Sequence, residues 1–117
     1  MKHWFRTAGL VVTRNSEPYL GELLESIASQ SQTPDLLLAI DDNSSDRTAD
    51  LLRENGFFVE RATSTATDTN TRIAQNFHQG VRLAAQKGAD VVVLGDHDDV
   101  WHTNRVEHQE RLLAHDP

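Results

Sequence analysis

The chain has no cysteine, which excludes disulfides, thiolate nucleophiles, Cys-type zinc sites and iron–sulfur clusters held by Cys. That is compatible with a reducing cytoplasm. No apolar run approaches the ~18–20 residues of a membrane span, and the start, Met1-Lys2-His3-Trp4-Phe5-Arg6, lacks the long apolar core of a secretion signal. Basic patches are also absent. The 11 Lys and Arg stand singly against 18 Asp and Glu, for a net charge of −7, so the chain repels nucleic acid and anionic surfaces. Neither the Walker pattern nor G-x-G-x-x-G occurs, and Gly9 is the only glycine near the end of the first apolar run. ATPase and NAD(P) readings therefore lose their main support, as does a serine hydrolase, since no G-x-S-x-G elbow exists.

What is present fits one domain over residues 1–117: 38% hydrophobic and 25% charged residues suffice for a packed core of that size. The reading is a cytoplasmic domain, with peripheral attachment at the inner membrane face left to parts outside this chain. Ala8-Gly9-Leu10-Val11-Val12, ending at Thr13, reads as a buried strand. From Pro18, Tyr19, Leu20, Leu23, Leu24, Ile27 and Ala28 recur at helical spacing, with Ser16 and Glu17 placed to cap the start. Residues 30–34 stop that helix.

Leu36 to Ile40 is a second strand, followed by the turn-rich Asp41-Asp42-Asn43-Ser44-Ser45-Asp46. A short helix from Thr48 to Glu54 closes at Asn55-Gly56, and Phe57-Phe58-Val59 is a weaker third strand. The segment from Ala62 to Thr69, rich in threonine, reads as a loop. An amphipathic helix spans roughly Asn70 to Gln86, with Ile73, Ala74, Phe77, Val81 and Ala84 mostly on one side. Val91-Val92-Val93-Leu94 is the clearest strand and runs into Asp96-His97-Asp98-Asp99; a mostly polar helix follows from about Thr103 to Ala114. The order β-α-β-α-β-α-β-α predicts an α/β fold of three layers, with a mostly parallel sheet and right-handed crossovers. Continuous apolar strands agree, because both faces of such a sheet are buried.

Ligands of an open parallel sheet bind outside the carboxyl ends of its strands. Thr13-Arg14-Asn15-Ser16-Glu17, Asp41 to Ser44 and Asp96 to Asp99 would then share one rim. The five carboxylates Asp41, Asp42, Asp96, Asp98 and Asp99 would repel one another there unless solvated, protonated or bound to a cation. Oxygen-only ligation favours Mg²⁺ or Mn²⁺. The alternative is that the aspartates mark polar turns and helix caps. Four of the six histidines, His97, His102, His108 and His115, fall near the end without ligand spacing relative to the aspartates. Trp101 reads as a packing anchor under the aspartate loop.

Three segments in register resemble the family 2 glycosyltransferases. They are Val11-Val12-Thr13-Arg14-Asn15-Ser16-Glu17-Pro18-Tyr19-Leu20, then Ile40-Asp41-Asp42-Asn43-Ser44-Ser45-Asp46-Arg47-Thr48, and Asp96-His97-Asp98-Asp99-Val100-Trp101 in the place of the D-x-D motif. The resemblance implies a GT-A nucleotide-binding half with a nucleotide-sugar site. Thr13 and Asp42 border the nucleobase in that site, Asn15 and Glu17 belong to its first loop, and Asp96 faces the ribose. It assigns Asp98 to the divalent metal, Mn²⁺ or Mg²⁺, and Arg72 to a position near the diphosphate, although the sequence around Arg72 departs from the family's usual Arg-Asn pair. The motif with Trp101, Asn104 and Arg105 is closest to rhamnosyltransferase-like enzymes of cell-surface polysaccharide assembly, implying a UDP- or dTDP-sugar donor and a glycan or polysaccharide acceptor.

Inverting members supply the general base from beyond the D-x-D. The expectation is therefore that residues 1–117 are an N-terminal donor-binding part, truncated from an enzyme whose remainder lies C-terminal, with self-association left open. The alternative is a non-catalytic nucleotide-binding or assembly module of the same fold. A sugar-nucleotide-forming transferase is disfavoured by the lack of a glycine-rich first loop.

Overall fold

A computed structural model describes residues 5–96 and 98–115. Its elements follow the expected order: β1 (Thr7–Thr13), α1 (Glu17–Ala28), β2 (Leu36–Asp41), α2 (Thr48–Glu54), β3 (Phe58–Arg61), α3 (Thr69–Gln86), β4 (Val91–Asp96) and α4 (Arg105–His115). The four strands form one sheet in the order β3-β2-β1-β4, and every pairing is parallel.

The chain moves outward from β1 through β2 to β3, then returns to the other side of β1 as β4. Crossovers of one hand place helices on opposite sheet faces when the direction of travel reverses. The two apolar clusters have that distribution. Val11, Ala39 and Val93 point to one face and meet Leu20, Leu23 and Ile27 of α1, Leu52 of α2, Trp101, and Val106 of α4. Leu10, Val12, Leu38 and Ile40 point to the other and meet Leu83 and Ala84 of α3. All seven residues of β1 are buried, as a central strand covered on both faces requires. Each buried Leu or Ile contributes about 1.5–3 kcal/mol by leaving water.

Element ends differ from expectation where side chains found other partners. Ser16 occupies the N-cap of α1 without a side-chain capping bond; its hydroxyl instead exchanges bonds with Arg14 N–H and carbonyl. The helix start is set by the Ser16 carbonyl, which accepts from Tyr19 and Leu20 N–H, and by Pro18 in the first turn. Asp68 does cap α3, accepting from Thr71 N–H at 2.9 Å. The third strand lies slightly later than expected, because Phe57 is buried beneath α2 and its N–H bonds the Leu52 carbonyl. Gly56 and Gly88 have φ of +86° and +85°, the left-handed conformation that ends α2 and α3.

Trp101 is 3% exposed and lies against Gly95, where an added Cβ would come 2.8 Å from its Nε1. It is a packing anchor beneath the loop after β4, with the Arg105 guanidinium stacked on its ring at 4.6 Å. Gln30 ties this region to α1: its amide donates to the His102 carbonyl, and its carbonyl oxygen accepts from Val106 N–H. Glu110 of α4, wholly buried, accepts from Thr7 Oγ1 and the Gln32 amide. The polar reading of α4 did not foresee that anchor.

Candidate functional site

The strand order reverses at β1, so the crevice at the carboxyl ends of β1 and β4 is the topological switch point. A cavity of about 570 Å³ opens there. Val12 and Thr13 come from the end of β1, Asp42 from the end of β2, and Asp96 and Asp98 from the end of β4 and its loop. Arg72, Ile73 and Asn76 come from the first turns of α3. Thr65, Ala66 and Thr67 close one side. Five of the seven residues singled out from sequence, Thr13, Asp42, Arg72, Asp96 and Asp98, therefore meet in one cavity.

Asn15 and Glu17 do not line it. Asn15, at φ +46°, accepts the Ser45 N–H at 2.7 Å and donates its own N–H to Ser44 Oγ. Glu17 accepts from Arg47 N–H and donates its N–H to Asp46. Together they clasp the loop after β1 to the loop after β2, which fixes where Thr13 and Asp42 sit. His97 lies outside the described residues.

The expected crowding of five carboxylates is relieved mainly within the protein. Asp41 accepts from Thr13 Oγ1 at 2.8 Å and from Ser44 N–H and Oγ. Asp99 accepts the Asp96 N–H at 2.9 Å, closing the turn after β4. Asp42 is only 4% exposed. It receives a two-pronged bond from Arg72, Nε to Oδ2 at 2.6 Å and Nη2 to Oδ1 at 2.7 Å, and further bonds from Asn76 Nδ2 at 3.1 Å and Asn43 Nδ2 at 3.0 Å. The Arg72 bonds hold the Asp42 carboxyl well below the usual carboxylate range against the opposing effect of burial, with Asn76 and Asn43 adding to the depression. For three of the five aspartates, hydrogen bonds do what a cation would otherwise have to do.

Two consequences follow for ligands. A carboxylate offers about four lone-pair sites, and the four bonds just given fill those of Asp42. Arg72 also donates Nη1 to the Ala66 carbonyl at 3.0 Å, so three of its five N–H donors are engaged by described residues and two are not. Asn76 could have been found from sequence, because it lies one turn after Arg72 on the same helix face. Its Oδ1 is buried without a partner; the Nδ2 must face the carboxylate, so the amide cannot turn to satisfy it.

Asp96 and Asp98 differ from the other three. Both are exposed and line the cavity, and no side-chain hydrogen bond or ion pair from a described residue reaches them. Among the described residues no three His, Cys, Asp or Glu side chains converge as a ready metal cage. A pair of free carboxylates facing an open cavity suits a hard cation that completes its shell with water and phosphate oxygens.

Solved structures share this architecture. S. aureus TarS 1-349 superposes with a TM-score of 0.67 at 24% identity, covering 94% of this chain and 32% of that one; the same protein has been solved in complex with UDP-GlcNAc. The mannosyltransferase PcManGT from Pyrobaculum calidifontis, solved with GDP-Man and Mn²⁺, gives 0.61 at 20% identity over 85% of this chain and 29% of its own. Glucosyl-3-phosphoglycerate synthase from Mycobacterium tuberculosis, solved with Mn²⁺, UDP and glucosyl-3-phosphoglycerate, gives 0.58 at 17% over 80% and 34%. At these identities the likeness establishes the fold, of the GT-A type, and the chain spans about a third of the length of each. No curated protein matches. The sequence profile of glycosyl transferase family 2 matches residues 10–117, nearly the whole chain and all the strand ends that build the cavity, and the chain belongs to that family.

Proposed function

We propose that these residues form the donor-binding part of a glycosyltransferase that moves a sugar from a UDP- or dTDP-sugar to a glycan or polysaccharide acceptor, with inversion. The observation that carries the reading is the cavity itself. Its lining brings together a guanidinium held by Asp42 and the carboxylates of Asp96 and Asp98, which no side chain of a described residue bonds. A nucleoside diphosphate has the matching polarity, with carbonyl acceptors on the base and anionic oxygens that need a cation between them and aspartates.

In this reading Thr13 and Val12 form the floor under the base. Asp42 acts by orienting Arg72, whose free N–H groups face the base or the first phosphate with a charge-assisted bond. Asn15 and Glu17 serve by fixing the two loops. Asp96 faces the ribose, and Asp98 holds Mn²⁺ or Mg²⁺. When bound, the ion supplies Lewis-acid stabilisation of the departing diphosphate. The general base is expected from polypeptide beyond Pro117. The motif of Asp96 to Trp101 supports a rhamnosyltransferase-like role in cell-envelope polysaccharide synthesis, and a chain without cysteine suits the cytoplasmic setting proposed with it.

Calorimetry of the chain with UDP, dTDP and GDP, with and without Mn²⁺, tests this. Binding of UDP or dTDP that Mn²⁺ strengthens at least tenfold, and that Asp98→Ala reduces to the metal-free level, is the expected result. If no nucleotide binds, or Asp98→Ala leaves the Mn²⁺ effect intact, the reading fails.

A further inference from the structure

A second cavity, of about 360 Å³, opens between α2 and the carboxyl end of β3. It lies on the other face of the sheet from the cavity at the switch point. Asp41 and Asp42 are successive residues where β2 ends, so their side chains point to opposite faces. Asp42 lines the first cavity and Asp41 the second. Helix α2 supplies Arg53, one turn after Ala49, and β3 supplies Arg61, two residues after Val59. Two guanidiniums and two apolar side chains thus share one small space.

In a chain of net charge −7, these two arginines lack a carboxylate that neutralises them. Asp41 is the one carboxylate of the lining among the described residues, and it is the register partner of Arg61 on the neighbouring strand. Its oxygens are taken by Thr13 Oγ1 and by the N–H and Oγ of Ser44. Arg61 turns instead to a neutral acceptor, donating Nε to Asn43 Oδ1 at 2.7 Å. Its other four N–H donors meet no described residue. Arg53 has Asp50 beside it at 3.8 Å, but both side chains are more than half exposed, and solvent screens such a pair to little effect. Among the described residues no carboxylate hydrogen-bonds either guanidinium. Two like charges in one cavity repel, and an anion between them relieves the repulsion.

The donor set selects the anion. Guanidinium N–H groups come in parallel pairs that match the oxygens of a carboxylate or a phosphate. One carboxylate has two oxygens and saturates a single fork, whereas a phosphate monoester presents three and can serve both. The volume stands near the lower end of the ~300–1,000 Å³ typical of ligand cavities, which suits a small molecule. Ala49 and Val59 offer an apolar wall to its carbon portion. A phospholipid surface fits badly, because the net charge of −7 repels an anionic bilayer.

We propose that Arg53 and Arg61 form a second anion site, which takes a phosphate group carried by a small monoester or as the free ion. The site is independent of the nucleotide reading and stands or falls apart from it. The two cavities share the loop after β2: Asn43 accepts from Arg61 through Oδ1 and donates Nδ2 to Asp42 at 3.0 Å. A change at Arg61 therefore reaches Asp42 through Asn43. Arg53 has no such connection and is the cleaner probe.

Titration of the chain with inorganic phosphate and with glycerol 3-phosphate, followed by NMR without divalent ions and against chloride at matched ionic strength, tests it. Both phosphates should produce saturable shifts at the backbone amides of Ser44, Ala49 and Arg61, and chloride should not; this comparison needs no variant to fold. Arg53→Gln and Arg61→Gln should each weaken binding about tenfold, the loss of one charge-assisted pair of bonds. Their Tm should stay within about 2 °C of wild type, since both side chains are exposed. Arg72→Gln should leave phosphate binding unchanged. Tighter binding of glycerol 3-phosphate upholds the site and identifies a phosphorylated small molecule as its occupant; equal binding upholds it for the free ion. Shifts no larger than those with chloride, shifts confined to residues of the first cavity, or wild-type affinity in both Arg53→Gln and Arg61→Gln overturn the proposal.

Discussion

Replacing Gly80 by alanine would separate helix propensity from seating. In a free helix the change stabilises by about 1 kcal/mol, because alanine loses less backbone entropy. In this protein the new Cβ would come 2.5 Å from both Leu10 methyl carbons and 3.0 Å from its Cγ. Leu10 is wholly buried in the central strand, so its methyls can move only by disturbing Val12, Leu83 and Ala84 around them. Overpacking of this kind costs about 1–3 kcal/mol, and three close carbons place it in the upper half of that range. The net expectation is a loss of roughly 1–2 kcal/mol, a fall in Tm of about 5–10 °C for a domain of this size. Thermal and denaturant unfolding measure it. Leu10→Ala opens space below the new methyl, so Gly80→Ala should cost less in that background; the double-mutant cycle should show a favourable coupling of about 1–2 kcal/mol. Equal or greater stability of Gly80→Ala alone, or strict additivity in the cycle, would refute the seating of α3 on β1 by direct contact.

Further outcomes follow from the aspartate network and the tryptophan. The Asp42 carboxyl titrates in the folded chain below its unfolded value of about 3.9. Its stabilising effect is therefore complete above about pH 4 and is lost as pH falls through the folded value. Asp42→Asn should flatten the stability profile below pH 4, and an unaltered slope in acid titration followed by circular dichroism would show that the Arg72 bonds do not matter to folding. Trp101→Ala, which empties a position 3% exposed in the α1-side core, should cost about 3–5 kcal/mol. Trp101→Phe should keep the fold while loosening the loop that carries Asp98, so that Mn²⁺-dependent nucleotide binding weakens more than stability does; loss of both in proportion would count against a supporting role for the ring.

The sequence by itself determined the architecture. Four continuous apolar runs separated by amphipathic segments admit little besides a parallel sheet with helices on both faces, because an exposed face would have shown alternation. The same reading located the rim on which the cavity opens, since polar residues after each run must lie at strand ends. Only the tertiary structure decided what each of those residues does. Aspartates look alike in a sequence, yet Asp41, Asp42 and Asp99 spend their lone pairs on Thr13 and Ser44, on Arg72, Asn43 and Asn76, and on the turn after β4, whereas no side chain of a described residue bonds Asp96 or Asp98. Asn15 and Glu17 sit in the right loop but are consumed in joining it to its neighbour. Hydrogen-bond partners thirty residues apart are set by which strands lie side by side, and a side chain's availability is what remains after those partners are satisfied. For that reason the place of the cavity was legible along the chain, while the pairing of the side chains around it was settled by packing.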